Sequence, residues 1–258
     1  MTYQPPKKPA PDPDQFELLN LSNLPTPETD FKAGKVILMD KPKGYTSFRI
    51  IGLIRKLTGV KKTGHAGTLD PMASGLLIVC TGKATKSISL IQDGTKTYQA
   101  EIKFGQATLS YDAETDVSDT DPDCSVSEDQ IRKKLKEKFT GEIEQVPPMY
   151  SALKIKGERL YHLARRGEEV ERKSRRVTIF DAQFLSWNDQ NKTAAVEITC
   201  SKGTYIRSIA HDLGIECGTF AHLTALRRTV SGSYNVSQAL TPQQIVESTG
   251  YDGKIDLA

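Results

Sequence analysis

The residues best suited to chemistry lie in the segment Thr63–Pro71, where one acid stands among glycines and a proline. The two glycines of this segment allow tight turns and close approach to a ligand. Asp70 precedes Pro71, which favours an extended backbone and opposes a helix through the acid. The segment thus predicts a carboxylate on a stiff loop. The spacing also fits an ordinary turn in which Asp70 caps a helix starting near Ala73, and spacing alone favours that interpretation.

A second candidate segment is Ser201–Arg207, in which Gly203 lets a strand ending at Cys200 turn into a helix. One turn into that helix, Arg207 would project toward the same cleft as Asp70. An adjacent guanidinium holds a carboxylate ionised, typically lowering its pKa by ~1–3 units. It also fixes the carboxylate through paired hydrogen bonds. An arginine on a solvated helix face fits the sequence equally well.

Aromatic and basic residues add weaker signals of nucleic-acid binding. Tyr98 and Tyr205 are candidates for stacking on a nucleobase, a contact worth ~1–3 kcal/mol per base. Either tyrosine alone is more often a core residue. Residues 154–176 contain nine basic and four acidic side chains, which suits phosphate binding. Such a run is also typical of a solvated helix face.

Composition limits the class of protein. The 258 residues are 37% hydrophobic and 26% charged, with a net charge of +3, as expected for a soluble protein with a sizeable core. No stretch approaches the ~20 apolar residues of a membrane span, and the N-terminus lacks an apolar signal core. The four cysteines and four histidines show neither C-x-x-C pairs nor metal-ligand spacing. These features predict a cytoplasmic protein without a metal site.

Hydrophobic patterns predict mixed strands and helices without regular β-α-β alternation, which favours an α+β fold. A helix capped by Thr46 or Ser47 precedes the Asp70 loop. A solvated acidic loop is expected from Ser110 to Asp129. The predicted strands are Val36–Met39, Leu76–Cys80, Tyr98–Phe104, Arg176–Trp187 and Thr193–Cys200. Further helices are predicted at Ser87–Ile91, from Ser127 to Phe139 with a capping box to Gln130, from Thr204 to Ile215, and after Thr241-Pro242.

The predicted domain organisation is an arm followed by one large domain. Residues 1–33, rich in proline and acids, are expected to form an extended arm, disordered or laid over the surface. Residues 34–258 are expected to form the catalytic domain, with an insertion at about 147–176.

Several segments, in order, resemble the TruB family of tRNA pseudouridine-55 synthases. The segment Gly64–Leu77 resembles the family's catalytic segment, G-H-x-G-x-L-D-P and its continuation. The other similar segments are Leu38–Gly44, Lys96–Tyr98, Gln145–Lys154, Cys200–Arg207 and Leu226–Arg228. The resemblance covers about residues 34–240. Ordered motifs of this number are far more specific than one short pattern.

The resemblance implies a pseudouridine synthase catalytic fold, with a mixed, mainly antiparallel sheet flanked by helices. It implies that Asp70 is the nucleophile in the isomerisation of uridine-55 in the T loop of tRNA. The base leaves the ribose, rotates and rejoins through carbon 5. Attack on carbon 1′ and removal of a 2′ proton both remain open for Asp70. The resemblance implies no metal or organic cofactor.

The resemblance also implies roles for other residues. It implies that Tyr98 stacks on the target base, that Tyr205 is a second pocket tyrosine and that Leu226 forms an apolar wall. It implies that Arg207 is the partner of Asp70. It also implies that His65 fills the space left by the flipped uridine and that Lys41 lies at the pocket floor. Flipping costs a few kcal/mol, less for a base outside a regular duplex. In the insertion, which would grip the T-arm, the implied phosphate contacts are Lys154, Arg159, Arg165 and Arg166.

The chain departs from the family pattern at three places, one of which is the additional N-terminal arm at residues 1–33. Leu109 follows Thr108 where relatives often carry an acid, and Asp112 lies further on. The C-terminal PUA-type extension of many relatives is not expected here, so affinity would rest more on the catalytic domain. A monomer acting on tRNA, away from membranes and without an obligate protein partner, is expected. The rival hypotheses are an RNA-binding or folding chaperone, a base-flipping hydrolase, and a synthase for another RNA.

Overall fold

The computed structural model describes residues 9–155 and 157–255 and has the expected α+β architecture. The strands are β1 (Glu17–Leu19), β2 (Lys35–Lys41), β3 (Thr63–His65), β4 (Ala73–Thr81), β5 (Lys96–Phe104), β6 (Gln106–Thr108), β7 (Val117–Thr120), β8 (Gly141–Gln145), β9 (Lys154–Ile155), β10 (Glu158–Arg159), β11 (Arg175–Asn188), β12 (Thr193–Cys200), β13 (Ala221–Ser231) and β14 (Tyr234–Asn235). The helices are α1 (Ser47–Thr58), α2 (Ile88–Asp93), α3 (Glu128–Lys138), α4 (Leu160–Arg165), α5 (Ile206–Glu216) and α6 (Pro242–Ser248). Short 3₁₀ turns lie at Pro13–Gln15, Gly82–Ser87 and Val236–Gln238.

The chain divides into two compact units. The first comprises residues 1–94 and 229–258, and the second comprises residues 95–228. The first unit is therefore discontinuous in sequence. This division separates the segment containing Asp70 from the segment containing Tyr98, Tyr205 and Arg207.

The first unit contains a mixed sheet. Strand β2 pairs with β1 in parallel and with β4 in antiparallel, and β3 pairs with β4 in antiparallel. Strand β4 is buried along almost its whole length, as expected for its continuous apolar sequence. Helix α1 packs its apolar stripe inward, with Ile50 and Ile54 fully buried. The predicted cap is Thr46, whose Oγ1 accepts from the backbone N–H of Arg49 at 3.0 Å.

The N-terminal segment corrects the expectation of an extended arm. Glu17–Leu19 is a strand paired with Lys35–Ile37, and Leu19 is fully buried. Phe16 and Leu18 pack against the core of the first unit, so burial of apolar side chains draws this segment into the sheet. The part of the predicted arm at residues 1–8 lies outside the described residues.

The second unit contains an antiparallel sheet in the order β5-β12-β11-β8. Strand β12 alternates buried and half-buried residues, the pattern of a sheet with one covered face. Helix α3 begins at the predicted cap, where Ser127 Oγ accepts from the Gln130 N–H at 3.3 Å. Residues 149–170 contain a separate small core of Met149, Leu160 and Leu163. The insertion predicted at about 147–176 therefore has an apolar cluster of its own.

The cysteines contribute to packing. All four are free thiols, and Cys80 and Cys200 are buried. Burial raises the pKa of Cys80 to about 12 and that of Cys200 to about 11, so both remain protonated and weakly nucleophilic near neutral pH.

Among residues 9–155 and 157–255, no cluster of three or more His, Cys, Asp or Glu side chains is arranged to hold a metal ion. None of the helices in the described ranges is both long and apolar enough to cross a bilayer.

Candidate active site

The loop that carries Asp70 is held by backbone hydrogen bonds on both sides of the acid. Ser47 Oγ donates to the Leu69 carbonyl at 3.0 Å and accepts from the Leu69 N–H at 2.9 Å. On the other side, the Gly44 N–H donates to the Pro71 carbonyl at 2.8 Å. Leu69 is buried, whereas Asp70 is half-exposed. The start of α1 thus fixes the main chain around a carboxylate that solvent can still reach.

The helix-cap interpretation of Asp70 is wrong. Residues from Ala73 onward form β4, not a helix. The Ala73 N–H donates to the main-chain carbonyl of Asp70 at 3.1 Å. A backbone hydrogen bond to the Asp70 carbonyl therefore closes the turn.

Lys41 lies fully buried beneath the same loop. Its Nζ donates to the carbonyls of Tyr45 at 2.5 Å, Pro42 at 3.0 Å and Pro71 at 3.5 Å. A buried ammonium is costly unless its donors are satisfied. Here the carbonyl contacts tie the turn after β2 to the residue that follows Asp70. Lys41 therefore supports the loop from below, and its predicted place at the pocket floor remains a prediction.

His65 is the last residue of β3 and is half-buried. It pairs with Val79 in the sheet. The edge of its ring meets Phe48 of α1, with ring centroids 6.1 Å apart and planes at 88°. His65 and Asp70 thus belong to one segment of the first unit, as their spacing predicted.

In the second unit, Arg207 is only 4% exposed and lies against Asp112, which is fully buried. Arg207 Nε is 3.4 Å from Asp112 Oδ2. The guanidinium also donates to the carbonyls of Ser110 at 3.1 Å and Tyr150 at 2.8 Å. The solvated-helix interpretation of Arg207 is therefore wrong. Its pairing with Asp70 stays a prediction.

Asp112 is the residue that sequence reasoning undervalued. The segment from Ser110 was predicted to be a solvated loop, yet Ser110 and Asp112 are buried. Ser110 Oγ donates to Asp112 Oδ1 at 2.6 Å, and the Glu114 N–H donates to the same oxygen at 3.0 Å. Thr108 Oγ1 donates to the Asp112 carbonyl at 2.7 Å. The sequence signal for a buried acid was the pair of hydroxyl residues, Thr108 and Ser110, at alternate positions before Asp112. Leu109, between them, is exposed.

Tyr111 holds this turn in an unusual conformation. Its φ is +62°, a left-handed value that residues other than glycine rarely adopt. The ring stacks on His211 of α5, with centroids 3.9 Å apart and planes at 7°. Burial, and secondarily the positive charge of Arg172, lower the pKa of His211, which favours the neutral imidazole at pH 7. Stacking worth ~0.5–1.5 kcal/mol offsets part of a backbone strain of ~1–3 kcal/mol.

Tyr205 stands just before α5 and is held by two side chains from neighbouring strands. Gln145 Oε1 accepts from the Tyr205 N–H at 2.8 Å, and Gln145 Nε2 donates to the Tyr205 carbonyl at 2.9 Å. Arg175, the cross-strand partner of Gln145, places its guanidinium 4.5 Å from the ring centre of Tyr205. Arg175 also donates to the Gly203 carbonyl. One face of the Tyr205 ring is thus supported by a cation.

We expect Arg175→Ala to lower kcat/KM for the tRNA substrate that the sequence resemblance implies by about 2- to 5-fold, because a cation–π contact of ~0.5–1 kcal/mol orients Tyr205. Steady-state kinetics would measure this loss. The double variant Arg175→Ala/Tyr205→Leu serves as the control. Removing Arg175 should lower kcat/KM little further once the Tyr205 ring is absent. Independent, additive losses would contradict the proposed support of Tyr205 by Arg175.

Tyr98 and Leu226 also lie in the second unit. Tyr98 pairs with Ile198 across β5 and β12. It shares the core-facing register of β5 with Ala100 and Ile102, which are buried, yet Tyr98 itself is only half-buried. Leu226 is buried on β13. Their predicted roles at the target base remain predictions.

The basic residues of the insertion differ in their surroundings. Arg166 is paired with Glu158 and Glu168, each at 2.6 Å, and these hydrogen bonds raise its pKa. Arg159 and Arg165 lie 5.9 and 5.7 Å from the centre of the Tyr161 ring, and Arg159 donates to its hydroxyl at 3.1 Å. Lys154 is exposed at the start of β9. Exposed ion pairs are weak, so phosphate can compete for Arg166.

Asp212 gives α5 a measurable pH dependence. Burial, and secondarily Glu216 one turn later, raise its pKa to about 6. The folded state then binds more protons than the unfolded state between about pH 4 and 6, so stability is lost as pH rises through that range. We expect Asp212→Asn to flatten this dependence and to stabilise the protein by about 1 kcal/mol at pH 7, allowing for solvent screening. Urea unfolding from pH 4 to 7 measures this, with the exposed Asp116→Asn as control. An unchanged profile would contradict it.

Sequence comparison matches most of the chain to one family. The model described as "TruB family pseudouridylate synthase (N terminal domain)" matches residues 55–206. A second family model, described as "tRNA pseudouridylate synthase B C-terminal domain", matches residues 207–256. The tRNA pseudouridine synthase B of Bacteroides thetaiotaomicron is 43% identical over 226 residues, which cover 84% of this chain and 94% of that protein. That of Syntrophotalea carbinolica is 43% identical over 210 residues, covering 81% of this chain and 68% of that protein.

Solved structures agree with the sequence comparison. A chain in a Cbf5-Nop10-Gar1 complex superposes with a TM-score of 0.66 at 30% identity, covering 86% of this chain. A chain in an H/ACA ribonucleoprotein bound to a substrate RNA containing 2′-deoxyuridine superposes with a TM-score of 0.63 at 28% identity, again over 86% of this chain. The present chain spans only 58% and 57% of those two chains.

Proposed function

Because the chain belongs to the TruB family of pseudouridylate synthases, we propose that it converts uridine-55 in the T loop of tRNA to pseudouridine. Its relatives are tRNA pseudouridine synthase B proteins that match most of its length. The observation that carries the proposal is the segment Thr63–Pro71. It presents a half-exposed acid on a loop whose backbone is fixed at Leu69 and Pro71.

The reaction is an isomerisation, so the composition and mass of the unlabelled nucleotide are unchanged. The bond between carbon 1′ and N1 breaks, and a bond between carbon 1′ and carbon 5 forms. Carbon 5 loses its proton to solvent, and N1 of the reattached base gains one. Asp70 acts as the nucleophile in this proposal, and its carboxylate assists departure of uracil and holds the sugar while the base turns. A rigid backbone suits this task, because a nucleophile must be positioned accurately to react.

The remaining pocket residues take supporting roles in the proposal. Tyr98 stacks on the target base, and Tyr205 and Leu226 enclose it. Arg207 is the partner of Asp70 in this proposal and itself lies against Asp112, with 3.4 Å between Arg207 Nε and Asp112 Oδ2. His65 occupies the position from which the uridine is flipped. The half-buried Tyr98 on an otherwise buried face of β5 supports a binding role, since a ring there can still meet a ligand.

The insertion supplies affinity for the T-arm in this proposal. Lys154, Arg159, Arg165 and Arg166 contact phosphates, a sequence-independent attraction that weakens with salt. The small core of Met149, Leu160 and Leu163 supports this, because it gives the basic side chains a folded base. We also propose that the protein acts in the cytoplasm as a monomer without a partner protein.

An assay with two readouts tests the function. The purified protein is incubated alone with an unmodified tRNA transcript carrying tritium at carbon 5 of its uridines. We expect one tritium released per tRNA, unchanged mass of the unlabelled RNA, and carbodiimide-dependent arrest of reverse transcription at position 55. A transcript with cytidine at position 55 should release none. A bare T-arm stem-loop should also react.

The rival hypotheses predict different results. Release of free uracil, with loss of mass from the RNA, would identify a base-flipping hydrolase. Tight binding without tritium release would favour an RNA chaperone. Tritium release at another position, or only with added partner proteins, would contradict the assignment to uridine-55 by a stand-alone enzyme.

A further inference from the structure

Phe48 is the most exposed large hydrophobic side chain among residues 9–155 and 157–255, at 70%. It is the second residue of α1. The buried residues of this helix include Ile50, Ile51 and Ile54, whereas Phe48 shares its face with the exposed Gly52 and Arg55. The apolar stripe that attaches α1 to its unit therefore does not need this ring. Single exposed hydrophobic side chains are common on protein surfaces, so the meaning of this ring depends on its surroundings.

The backbone that carries Phe48 is held beside the Asp70 loop. Phe48 follows Ser47, whose hydroxyl makes both hydrogen bonds to the backbone of Leu69. Phe48 and Asp70 thus each adjoin, in sequence, one of the two residues joined by these hydrogen bonds, Ser47 and Leu69. The edge contact with His65, at 6.1 Å between centroids, adds a second aromatic ring. These two rings form what we call the Phe48–His65 surface.

The charge around this surface indicates the kind of ligand. Residues 40–70 contain seven basic side chains and two acidic ones, Asp40 and Asp70, at the two ends of the segment. All of the basic residues except Lys41 are exposed, namely Lys43, Arg49, Arg55, Lys56, Lys61 and Lys62. An exposed aromatic ring on a segment with an excess of basic residues suits a nucleic acid, because bases stack on the ring while phosphates meet the cations. The combination favours RNA over an apolar protein partner.

We propose that the exposed face of Phe48 stacks on a base of the substrate RNA adjacent to the target uridine, with His65 packed at its edge. The inference rests on the proposed function, since it concerns the same RNA at the same loop. Phe48 acts here as a binding residue and makes no contact with the reacting atoms. It strengthens the hold on the RNA and leaves the rate of the bound complex unchanged.

Variants of Phe48 test the stacking. We expect Phe48→Ala to raise the dissociation constant for a T-arm stem-loop by about 5- to 100-fold. Phe48→Tyr should bind within about twofold of the wild type, whereas Phe48→Leu, apolar but without a ring face, should resemble Phe48→Ala. Phe180→Ala is the matched control, since Phe180 is also an exposed phenylalanine on a different element, at 53%. Thermal unfolding should be unchanged in all of them.

A second measurement separates binding from chemistry. With the RNA saturated in a single turnover, Phe48→Ala should isomerise as fast as the wild type. With 2-aminopurine in the T loop beside position 55, the wild type and Phe48→Tyr should quench its fluorescence more than Phe48→Ala does. Wild-type affinity in Phe48→Ala, or equal quenching, would overturn the stacking proposal. Failure of the wild type to form pseudouridine would instead overturn the proposed function, so the two failures are distinguishable.

Discussion

Replacing Asp70 by Asn is expected to reduce pseudouridine formation by at least about 10⁴-fold while leaving the fold and RNA binding nearly intact. The large loss follows because an amide cannot serve as the carboxylate nucleophile. The fold should survive, since the loop is held through the backbone of Leu69 and Pro71 and the serine at position 47. Tritium release measured in single turnover, at saturating tRNA, gives the rate directly.

The control for this variant is the exposed Glu28→Gln, which removes a charge from the same unit and should retain full activity. The dissociation constant for tRNA should change by less than about threefold in Asp70→Asn, because the change alters neither a stacking ring nor a phosphate contact. Substantial residual turnover in a preparation free of wild-type enzyme would exclude Asp70 as the nucleophile. A loss of thermal stability comparable to that of a core variant would show instead that Asp70 is structural.

The second large effect is expected at the buried pair of Arg207 and Asp112. Asp112→Ala leaves the guanidinium of Arg207, only 4% exposed, without this carboxylate. Breaking a buried pair by removing one partner typically costs about 3–5 kcal/mol. We therefore expect the free energy of unfolding to fall by that amount, a large share of the ~5–15 kcal/mol of a typical domain. Urea unfolding at pH 7 measures the change.

Two further variants make this prediction specific. Asp116→Ala removes an exposed acid from the same connection and should change stability by less than about 0.5 kcal/mol. The double variant Asp112→Ala/Arg207→Ala should lose less than the sum of the single variants, since each single change leaves a buried charge. A cost below about 1 kcal/mol for Asp112→Ala would contradict the importance of the pair.

The elements with strong local signals were predicted well from sequence. Helix α1 begins after Thr46 as its capping pattern indicates, and β4 extends the predicted strand at Leu76–Cys80 to Ala73–Thr81. Helix α6 has the full capping box between Thr241 and Gln244. In each case the information lies within a few residues, in a cap or an apolar run. Long-range packing was not needed to find them.

The features that were missed depend on residues distant in sequence. Glu17–Leu19 becomes a strand only because β2, 18 residues later, offers an edge to pair with. Asp112 resembles the exposed acids that follow it until Arg207, 95 positions away, lies against it. Similarly, spacing alone favoured a helix cap at Asp70, and the resemblance of several ordered segments to one family reversed that judgement.

The discontinuity of the first unit has a consequence for synthesis on the ribosome. Strand β2 exchanges hydrogen bonds with Leu240, whose N–H donates to the Leu38 carbonyl and whose carbonyl accepts from the Asp40 N–H, each at 2.8 Å. Leu240 and Ile245 are fully buried, so the unit translated first is completed by residues that follow the whole second unit. The second unit, residues 95–228, emerges as one continuous segment. We therefore expect the second unit to fold before the first, although the first is translated earlier. The nascent segment that contains Asp70 should expose its apolar strands until α6 has emerged.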